Sequence, residues 1–172
     1  KAGYGRYEIS NYAKPGYECR HNIGYWTREN YLGLGLGAAS LVDNVRYSNT
    51  RELDEYTAIC HDLTILPPEA FAPEDGMAAP ERNWFGSNLH TEASVVSRKS
   101  QMEEFMFLGL RMTDGIARDE FEHNFGMPIE AAYVQVLPEL QAQGLIEKRE
   151  GRIYLTDRGM DVANYVMAQF LL

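Results

Sequence analysis

The sequence has few cysteines, no long apolar run and no excess of basic residues, and each shortage excludes a class of protein. Only Cys19 and Cys60 occur among 172 residues, so this chain alone forms no disulfide scaffold, structural zinc cage or cysteine-ligated iron–sulfur cluster. No stretch of about 18 consecutive apolar residues occurs, and no basic start leads into an apolar run. We therefore expect no transmembrane segment and no secretory signal, and a reducing, cytoplasmic location.

The composition is that of a folded protein, with 45% hydrophobic and 24% charged residues. The chain opens on Lys1-Ala2-Gly3 rather than on methionine, and a strand-like run follows almost at once. We therefore expect a fragment of a longer protein.

Negative charge is concentrated in the second and last thirds of the chain. The net charge is +2 over residues 1–50, −5 over 51–101 and −6 over 102–172, which gives −9 in total. The first third also holds seven of the eleven tyrosines. An aromatic and mildly basic segment suits a flat anionic ligand, but tyrosines also favour the strands of a β-rich core, so both interpretations stay open.

The first 99 residues are predicted to contain strands, one helix and a long loop. Residues 4–13 read as a strand that ends at Lys14-Pro15-Gly16, residues 31–42 as a glycine-rich strand, and 45–48 as its hairpin partner. Thr50 is predicted to cap a helix with Leu53, Tyr56, Ile59, Cys60 and Leu63 on one face. Residues 67–99 are rich in proline and show no period, which predicts a loop or linker.

The last 73 residues are predicted to form a helical domain with a β-wing. Ser100 and Glu103 form a capping box for a helix over 102–112, and two further helices are expected over 118–125 and 129–143, the second kinked at Pro138. Residues 145–149 and 152–156 read as a two-stranded wing, followed by a helix over 157–171. This order of elements is typical of a winged-helix module.

A nucleic-acid partner is not expected for this module. Its third helix would enter the DNA groove, yet residues 129–143 contain no Lys or Arg and do contain Glu130 and Glu139. The attraction that Lys148, Arg149 and Arg152 would supply from the wing is outweighed by the net charge of −6.

One short segment carries residues suited to a metal macrocycle. His21 could give a neutral imidazole to iron, Asn22 could fix a ligand by hydrogen bonding, and Tyr25 with Trp26 offers rings that stack on a flat ligand. Arg20 and Arg28 could pair with propionate carboxylates. A lone histidine is more often structural than a ligand, so both roles stay open at this point.

The glycines Gly33, Gly35 and Gly37 are the second candidate site. Their G-x-G-x-G spacing is not the dinucleotide fingerprint, and it implies only that a ligand or another element approaches the backbone closely.

Five strings of this sequence resemble one family. They are YEISNYAKPG at 7–16, HNIGYW at 21–26, YLGLGLGA at 31–38, MEEFMFLGLR at 102–111 and GRIYLTDRG at 151–159. This set is similar to the oxygen-independent coproporphyrinogen III oxidase-like proteins, and within them to the branch regarded as haem chaperones. The chain departs from the family at Gly37-Ala38-Ala39-Ser40, where relatives usually show Gly-Ala-His-Ser.

The resemblance implies an α+β fold and a division of the chain. Residues 1–66 would form the C-terminal part of a radical S-adenosylmethionine (SAM) (β/α) barrel, 67–99 a loop or linker, and 100–172 the helical, winged-helix-like domain. The family carries a CxxxCxxC motif for a 4Fe-4S cluster, which is missing from this sequence. We therefore expect this chain to be unable to cleave S-adenosylmethionine by itself.

The resemblance also implies site residues and partners. It assigns haem binding to His21, Asn22, Tyr25 and Trp26 with Arg20, makes His21 the ligand of the haem iron, and leaves Gly33, Gly35 and Gly37 on the cofactor side of the barrel. Haem would then be delivered to haem-accepting proteins. The alternatives are the oxidase itself, which decarboxylates coproporphyrinogen III, and a barrel remnant joined to an interaction domain. An unpaired strand edge also predicts self-association.

Overall fold

The computed structural model describes residues 2–62 and 89–172, which divide into two compact units. Residues 2–29 pack together with Arg98–Leu172, and the described residues of Asn30–Ser97 form the second unit. The sequence places a boundary at 66/67, whereas by contacts the first 29 residues group with the C-terminal segment. Within the described ranges no helix is long and apolar enough to cross a membrane.

The described residues form short strands and helices of a mixed α and β fold. The strands are β1 (Gly5–Arg6), β2 (Tyr12–Ala13), β3 (Ala39–Val42), β4 (Val45–Asn49), β5 (His90–Val95), β6 (Ile116–Ala117), β7 (Ile146–Arg149) and β8 (Arg152–Leu155). The helices are α1 (Arg20–Trp26), α2 (Leu53–Asp62), α3 (Arg98–Gly109), α4 (Arg118–Phe125), α5 (Ile129–Ala132), α6 (Val136–Ala142), α7 (Asp157–Asp161) and α8 (Ala163–Ala168).

The core of the first unit lies among its C-terminal helices and a three-stranded antiparallel sheet. The strand order is β6-β8-β7, and β7 pairs with β8 from Ile146↔Leu155 to Arg149↔Arg152. Fully buried side chains come from both helices and sheet: Met106, Phe121, Ile129, Ile153, Val166 and Phe170. The predicted pairing of two strands over 145–149 and 152–156 is therefore confirmed as the β7–β8 hairpin, and β6 is a third strand that the sequence did not indicate.

The helix over 118–125 was predicted correctly. Gly126 ends α4 with φ 60°, the left-handed conformation that glycine adopts without steric cost.

Two other helices of this unit are broken where the sequence predicts continuous ones. The predicted helix 129–143 stops at Ala132 and resumes at Val136, so Pro138 lies in the first turn of α6. A proline is tolerated there because its missing N–H has no partner inside the helix, and the expected kink at Pro138 is therefore wrong. The predicted helix 157–171 is likewise divided at Val162, between α7 and α8.

The predicted capping box at Ser100 is wrong, because α3 begins at Arg98 and Ser100 already lies inside it. The predicted strand over residues 4–13 is also shorter than expected, since only Gly5–Arg6 and Tyr12–Ala13 pair, as a small antiparallel hairpin. Between them Glu8 forms an isolated bridge to Met112, which attaches the hairpin to the end of α3.

The second unit contains an antiparallel sheet of order β3-β4-β5. The predicted hairpin of 45–48 with the preceding strand is confirmed. Residues 31–42 are not one strand, since Tyr31 bridges back to Leu41 across a turn in which Gly35 has φ 102° and Gly37 φ 67°. Strand β5 lies in the part of the predicted 67–99 loop that the structure describes, and residues 67–88 lie outside the described residues.

The helix predicted after Thr50 is present as α2. Thr50 Oγ1 accepts a hydrogen bond from the Glu52 N–H at 3.2 Å and donates one to Glu55 Oε2 at 3.0 Å. On the predicted apolar face Tyr56 and Ile59 are half-buried, whereas Leu53 and Cys60 are exposed. Leu63 lies outside the described residues.

Candidate functional site

The segment from Arg20 to Trp26, which holds the predicted haem-binding residues, forms helix α1. The helix has seven residues, none of which is buried, and its N-cap Cys19 makes no side-chain capping bond. A helix this short is not stable alone in water, because its few hydrogen bonds do not offset the cost of nucleation. Its position therefore depends on the elements packed against it.

One face of α1 carries His21 and Tyr25. The two residues are four apart, so they lie one turn above each other, and their rings meet edge to face with centroids 4.7 Å apart. The His21 side chain is exposed, and Tyr25 retains 36% of its surface. Arg20, at the start of the helix, is exposed and Asn22 is half-buried. The helix thus presents an imidazole beside an aromatic edge.

Trp26 lies on a different face from Tyr25, because successive residues of a helix are about 100° apart. The guanidinium carbon of Arg111 lies 4.2 Å from the centroid of the indole. The indole Nε1 is buried and has no hydrogen-bond partner among the described residues. The structure therefore brings His21 and Tyr25 together and turns Trp26 towards the C-terminal helices.

Arg28, the second arginine considered for propionates, pairs with a carboxylate of this chain. Its Nε lies 2.6 Å from Glu104 Oε2, with side-chain exposures of 13% and 10%. Arg28 also adopts φ 62°, which costs a non-glycine residue about 1–2 kcal/mol. The Arg28 and Glu29 N–H groups donate to the carbonyls of Tyr25 and Gly24, as at a helix end of the Schellman type. The ion pair makes Arg28 an anchor of α1 to α3.

A cleft of about 240 Å³ lies between α1, α3 and the β6–β8 edge. Its apolar wall is formed by Ile23, Trp26, Phe105, Met112 and Ile116, and Glu120 and Arg152 lie at its polar side. Pockets that enclose a drug-sized ligand measure roughly 300–1,000 Å³. The cleft is therefore smaller than pockets that enclose a drug-sized ligand.

The glycines Gly33, Gly35 and Gly37 belong to the second unit, where the chain itself makes the close approach. A Cβ on Gly33 would lie 2.2 Å from the carbonyl oxygen of Ala39. The carbonyls of Gly33 and Gly35 accept hydrogen bonds from Asn49 Nδ2 at 3.2 and 2.8 Å. Of the two explanations that the sequence left open, approach by another element accounts for Gly33. A cofactor contact at these glycines remains a prediction.

His90 lies beside this turn and was not predicted as a site residue. Its Nδ1 is 3.1 Å from Asn49 Oδ1, and its ring lies 4.6 Å from that of Tyr47. Burial lowers the pKa of His90 because the cation loses solvation. Asn49 Nδ2 already donates to the two glycine carbonyls, so Asn49 Oδ1 accepts and His90 Nδ1 donates.

The basic residues of the wing are engaged within the first unit. Glu130 Oε1 lies 2.7 Å from Arg118 and 3.2 Å from Lys148. Desolvation pushes the pKa of Glu130 upward, but hydrogen bonds from its own backbone N–H, Arg118 and Lys148 outweigh it and hold that pKa below its ordinary value. Arg152 donates to the carbonyls of Asp114 and Gly115 at 2.7 and 2.9 Å. The expected lack of a nucleic-acid partner stays a prediction.

The chain carries only two cysteines, Cys19 and Cys60, as possible iron–sulfur ligands. Cys19 and Cys60 are both free and exposed and belong to different units. Among the described residues no three His, Cys, Asp or Glu side chains are grouped so as to hold a metal ion. A 4Fe-4S cluster normally takes four cysteines, so these residues do not fit one. A single exposed imidazole such as that of His21 does fit the axial position of a haem iron.

Three residues that hold α1 were not identified as site residues from the sequence: Glu8, Glu104 and Arg111. Glu8 is fully buried, and its carboxylate lies 3.4 Å from Arg111 Nη2 and accepts from the N–H of Ser10 at 2.8 Å. The available signal was charged residues next to apolar ones, as at Glu104 and Arg111 in MEEFMFLGLR. Buried carboxylates are rare unless they are paired, so such a position indicates a partner.

Comparison with known proteins identifies the family. Residues 96–162 match the family model described as HemN C-terminal domain. The chain is 60% identical over 170 residues to a protein of Escherichia coli K12 named heme chaperone HemW, of which it covers 39%. It is 36% identical over 172 residues to the heme chaperone HemW of Lactococcus lactis, again covering 39% of that protein. These alignments span 99% and 100% of this chain.

One solved structure has the same fold. It is reported as "Coproporphyrinogen III oxidase (HemN) from Escherichia coli is a Radical SAM enzyme", and it matches with a TM-score of 0.62 and 15% sequence identity. The match covers 98% of this chain and 37% of the other. The chain thus spans about two fifths of the length of the relatives that it matches. The resemblance seen in the sequence is confirmed: residues 96–162 match the HemN C-terminal domain family, and the chain is similar along its whole length to proteins named heme chaperone HemW.

Proposed function

We propose that this chain is part of a haem chaperone, which binds haem and delivers it to other proteins. The names of relatives at up to 60% identity support this function. The observation that carries the assignment to residues is the exposed His21 imidazole, 4.7 Å from the Tyr25 ring on the solvent face of α1. An exposed imidazole on a helix suits a cargo that must be passed on, because its iron stays accessible to a second protein.

Each site residue then has a distinct role. His21 supplies the axial nitrogen, and Tyr25 packs against the porphyrin from the same face. Arg20 pairs with a propionate and Asn22 fixes the ligand by a hydrogen bond. Trp26 belongs to the same haem-binding segment, but its ring lies on the face of α1 that contacts Arg111. There it anchors the helix.

The finer features of the family are part of the same proposal. Residues 1–66 would complete a radical SAM barrel, and the C-terminal helices with the β7–β8 hairpin would form a winged-helix-like domain. In the longer relatives a 4Fe-4S cluster and S-adenosylmethionine would bind outside the residues of this chain, with Gly33, Gly35 and Gly37 on the cofactor side.

The second candidate is the oxidase, the activity for which the structural neighbour is named. The two functions differ in the ligand that the site must hold. A haem has an iron that needs an axial ligand, whereas a porphyrinogen has no metal, so His21 matters only for the first.

The test compares haemin with iron-free protoporphyrin IX, each titrated into the chain and followed by absorbance and fluorescence quenching. The chaperone proposal expects haemin to bind at least tenfold more tightly, because only haemin gains the His21–iron bond. Equal affinities for the two porphyrins would overturn the assignment of His21 as an iron ligand and favour the oxidase candidate.

A further inference from the structure

We propose that helix α3 and the turn after it position the haem-ligating helix through two side chains, Glu104 on α3 and Arg111 in the turn. This inference rests on the proposed function, since it concerns how His21 is presented to haem. It adds two positioning residues that touch neither the ligand nor the His21 ring and that act through Arg28 and Trp26.

Helix α1 cannot fix its own orientation. Its seven residues include none that is buried, and its N-terminus has no side-chain cap and no acidic residue in the first turn. A rotation of about 100° about the helix axis would move the position of His21 to that of a neighbouring residue. The direction in which the imidazole points is therefore set by whatever holds the other face.

Glu104 holds the C-terminal end of this helix. Its carboxylate lies 2.6 Å from Arg28 Nε, two residues after the last residue of α1, and both side chains are largely buried. Arg28 is in the left-handed region at φ 62°, where glycine is the usual residue because it has no Cβ. An arginine at this position is strained, and its side chain makes the contact that glycine could not make.

Arg111 holds the face of α1 that carries Trp26. Its guanidinium lies 4.2 Å from the Trp26 ring centroid and 3.4 Å from the carboxylate of Glu8, which is fully buried. Glu8 therefore keeps the Arg111 guanidinium in place, and this guanidinium packs against the indole of Trp26. Trp26 is one residue beyond Tyr25, so fixing the indole fixes the direction of the exposed His21–Tyr25 face as well.

The two contacts restrain different motions of α1. The Arg28–Glu104 pair restrains the position of its end, and the Arg111–Trp26 contact restrains its rotation. Outer partners that orient a metal-ligating side chain typically contribute 10–100-fold to metal affinity. The same physical argument applies here, because a wrongly rotated helix places the imidazole away from the iron.

The test is a double-mutant cycle on haemin affinity, measured by Soret titration of four forms of the chain. These are the wild type, Glu104→Gln, His21→Ala and the double variant His21→Ala/Glu104→Gln. We expect Glu104→Gln to weaken haemin binding about tenfold and to shift the Soret band towards that of His21→Ala. In the His21→Ala background the same substitution is expected to have no further effect, because it acts through His21.

The matched control is Glu122→Gln, which removes an exposed carboxylate from α4 with the same change of charge. It should leave the haemin affinity unchanged. Arg111→Lys keeps a cation beside Glu8 but loses the planar contact with Trp26, so it is expected to weaken binding in the same His21-dependent way. If Glu104→Gln does not fold, Arg28→Gln/Glu104→Gln replaces it, because that pair leaves no unmatched buried charge.

Two results overturn the inference while leaving the proposed function intact. One is unchanged haemin affinity in both Glu104→Gln and Arg111→Lys. The other is an equal loss with and without His21, which would indicate general destabilisation. If instead His21→Ala binds haemin as the wild type does, the ligand assignment itself fails, and the positioning role fails with it.

Discussion

In the candidate site the side chain of Arg28 is mostly buried against Glu104. The loss of hydration on burying two opposite charges offsets much of their mutual attraction. Such a pair is therefore not in itself a strong source of stability. Removing one partner is different, because the remaining charge keeps its desolvation cost and loses its counterion. We therefore expect the pair to contribute more to fixing one arrangement of α1 than to the stability of the fold.

We expect Arg28→Met to lower the free energy of unfolding by about 3 kcal/mol, because Glu104 loses its buried ion-pair partner. Urea unfolding followed by far-ultraviolet circular dichroism measures this. Arg28→Met/Glu104→Met should be less destabilised than the single variant, since neither charge then remains. Arg149→Met is the control: its ion pair with Glu147 is largely exposed, so a change below about 1 kcal/mol is expected. A single variant as stable as the wild type would contradict this account of the pair.

At the same scale, the sequence identifies residue types but not which of them face the ligand. The histidine, tyrosine and tryptophan of the HNIGYW string were selected as a group. Their division between two faces depends on the helical backbone, which the string, with its central glycine, does not reveal. Glu104 lies 76 residues beyond Arg28 in the chain. No local pattern indicates a pairing across that separation.

Among the elements, strand β5 places one histidine in a partly buried position at the edge of the β3-β4-β5 sheet. His90 pairs with Asn49 across the β4–β5 ladder, and its ring packs on Tyr47. Burial lowers the pKa of His90 below 6.5, so the neutral ring is the form that the folded sheet accommodates.

The stability of this sheet is therefore expected to depend on pH. Well above pH 6.5 His90 is neutral in both folded and unfolded states, and its contribution is complete. As the pH falls below 6.5 the unfolded chain binds a proton that the folded sheet resists, so the free energy of unfolding decreases until the lowered pKa is passed.

Urea unfolding between pH 7.5 and pH 5 tests this dependence. His90→Gln should reduce the slope of the unfolding free energy against pH relative to the wild type. A slope that is the same in His90→Gln and in the wild type would show that His90 titrates alike in the two states.

The ends of helices were predicted well where the sequence carries a strong local signal. They were predicted poorly where contacts between distant residues set the position of the end. Gly126 ends α4 as expected, because a left-handed glycine is a signal within the chain itself. The breaks at residues 133–135 and at Val162 occur inside patterns that look continuously helical. Tyr133 is buried against Phe121 and Phe170, and such a core contact cannot be read from a helical period.

The strand predicted over the glycine-rich stretch at 31–42 also differs from the structure, because the backbone conformation of its glycines turns the chain. Alternation of glycine and leucine at 31–37 resembles a strand pattern, but Leu32, Leu34 and Leu36 are all exposed. The positive φ of Gly35 and Gly37 instead turns the chain, so that Tyr31 pairs with Leu41. A close approach to the backbone was predicted correctly for Gly33. The group that approaches it is the carbonyl of Ala39 in the same chain.

For the molecule as a whole, the family strings were more informative than any single motif. The five strings span both units, and the relatives they indicated are confirmed by alignments along the whole chain. The general class, a mixed α and β fold, was also correct. The grouping of residues 2–29 with the C-terminal segment was not anticipated, because it depends on contacts such as Arg28–Glu104 and Glu8–Arg111 between distant parts of the sequence.

That grouping connects the C-terminal helices with the candidate site. The region that matches the HemN C-terminal domain model contains Glu104 and Arg111, and both contact the segment that carries His21. These contacts are the basis of our proposal that the C-terminal segment orients the helix that carries His21.

The most direct measurement of the central claim is a haemin titration of the wild type, His21→Ala and His123→Ala, followed by the Soret band. His123 is an exposed histidine on α4 and is the matched control. We predict saturable binding by the wild type and His123→Ala, and loss of the ligated Soret band with at least tenfold weaker binding for His21→Ala. Identical spectra and affinities for His21→Ala and the wild type would contradict the claim that His21 on α1 holds the haem iron.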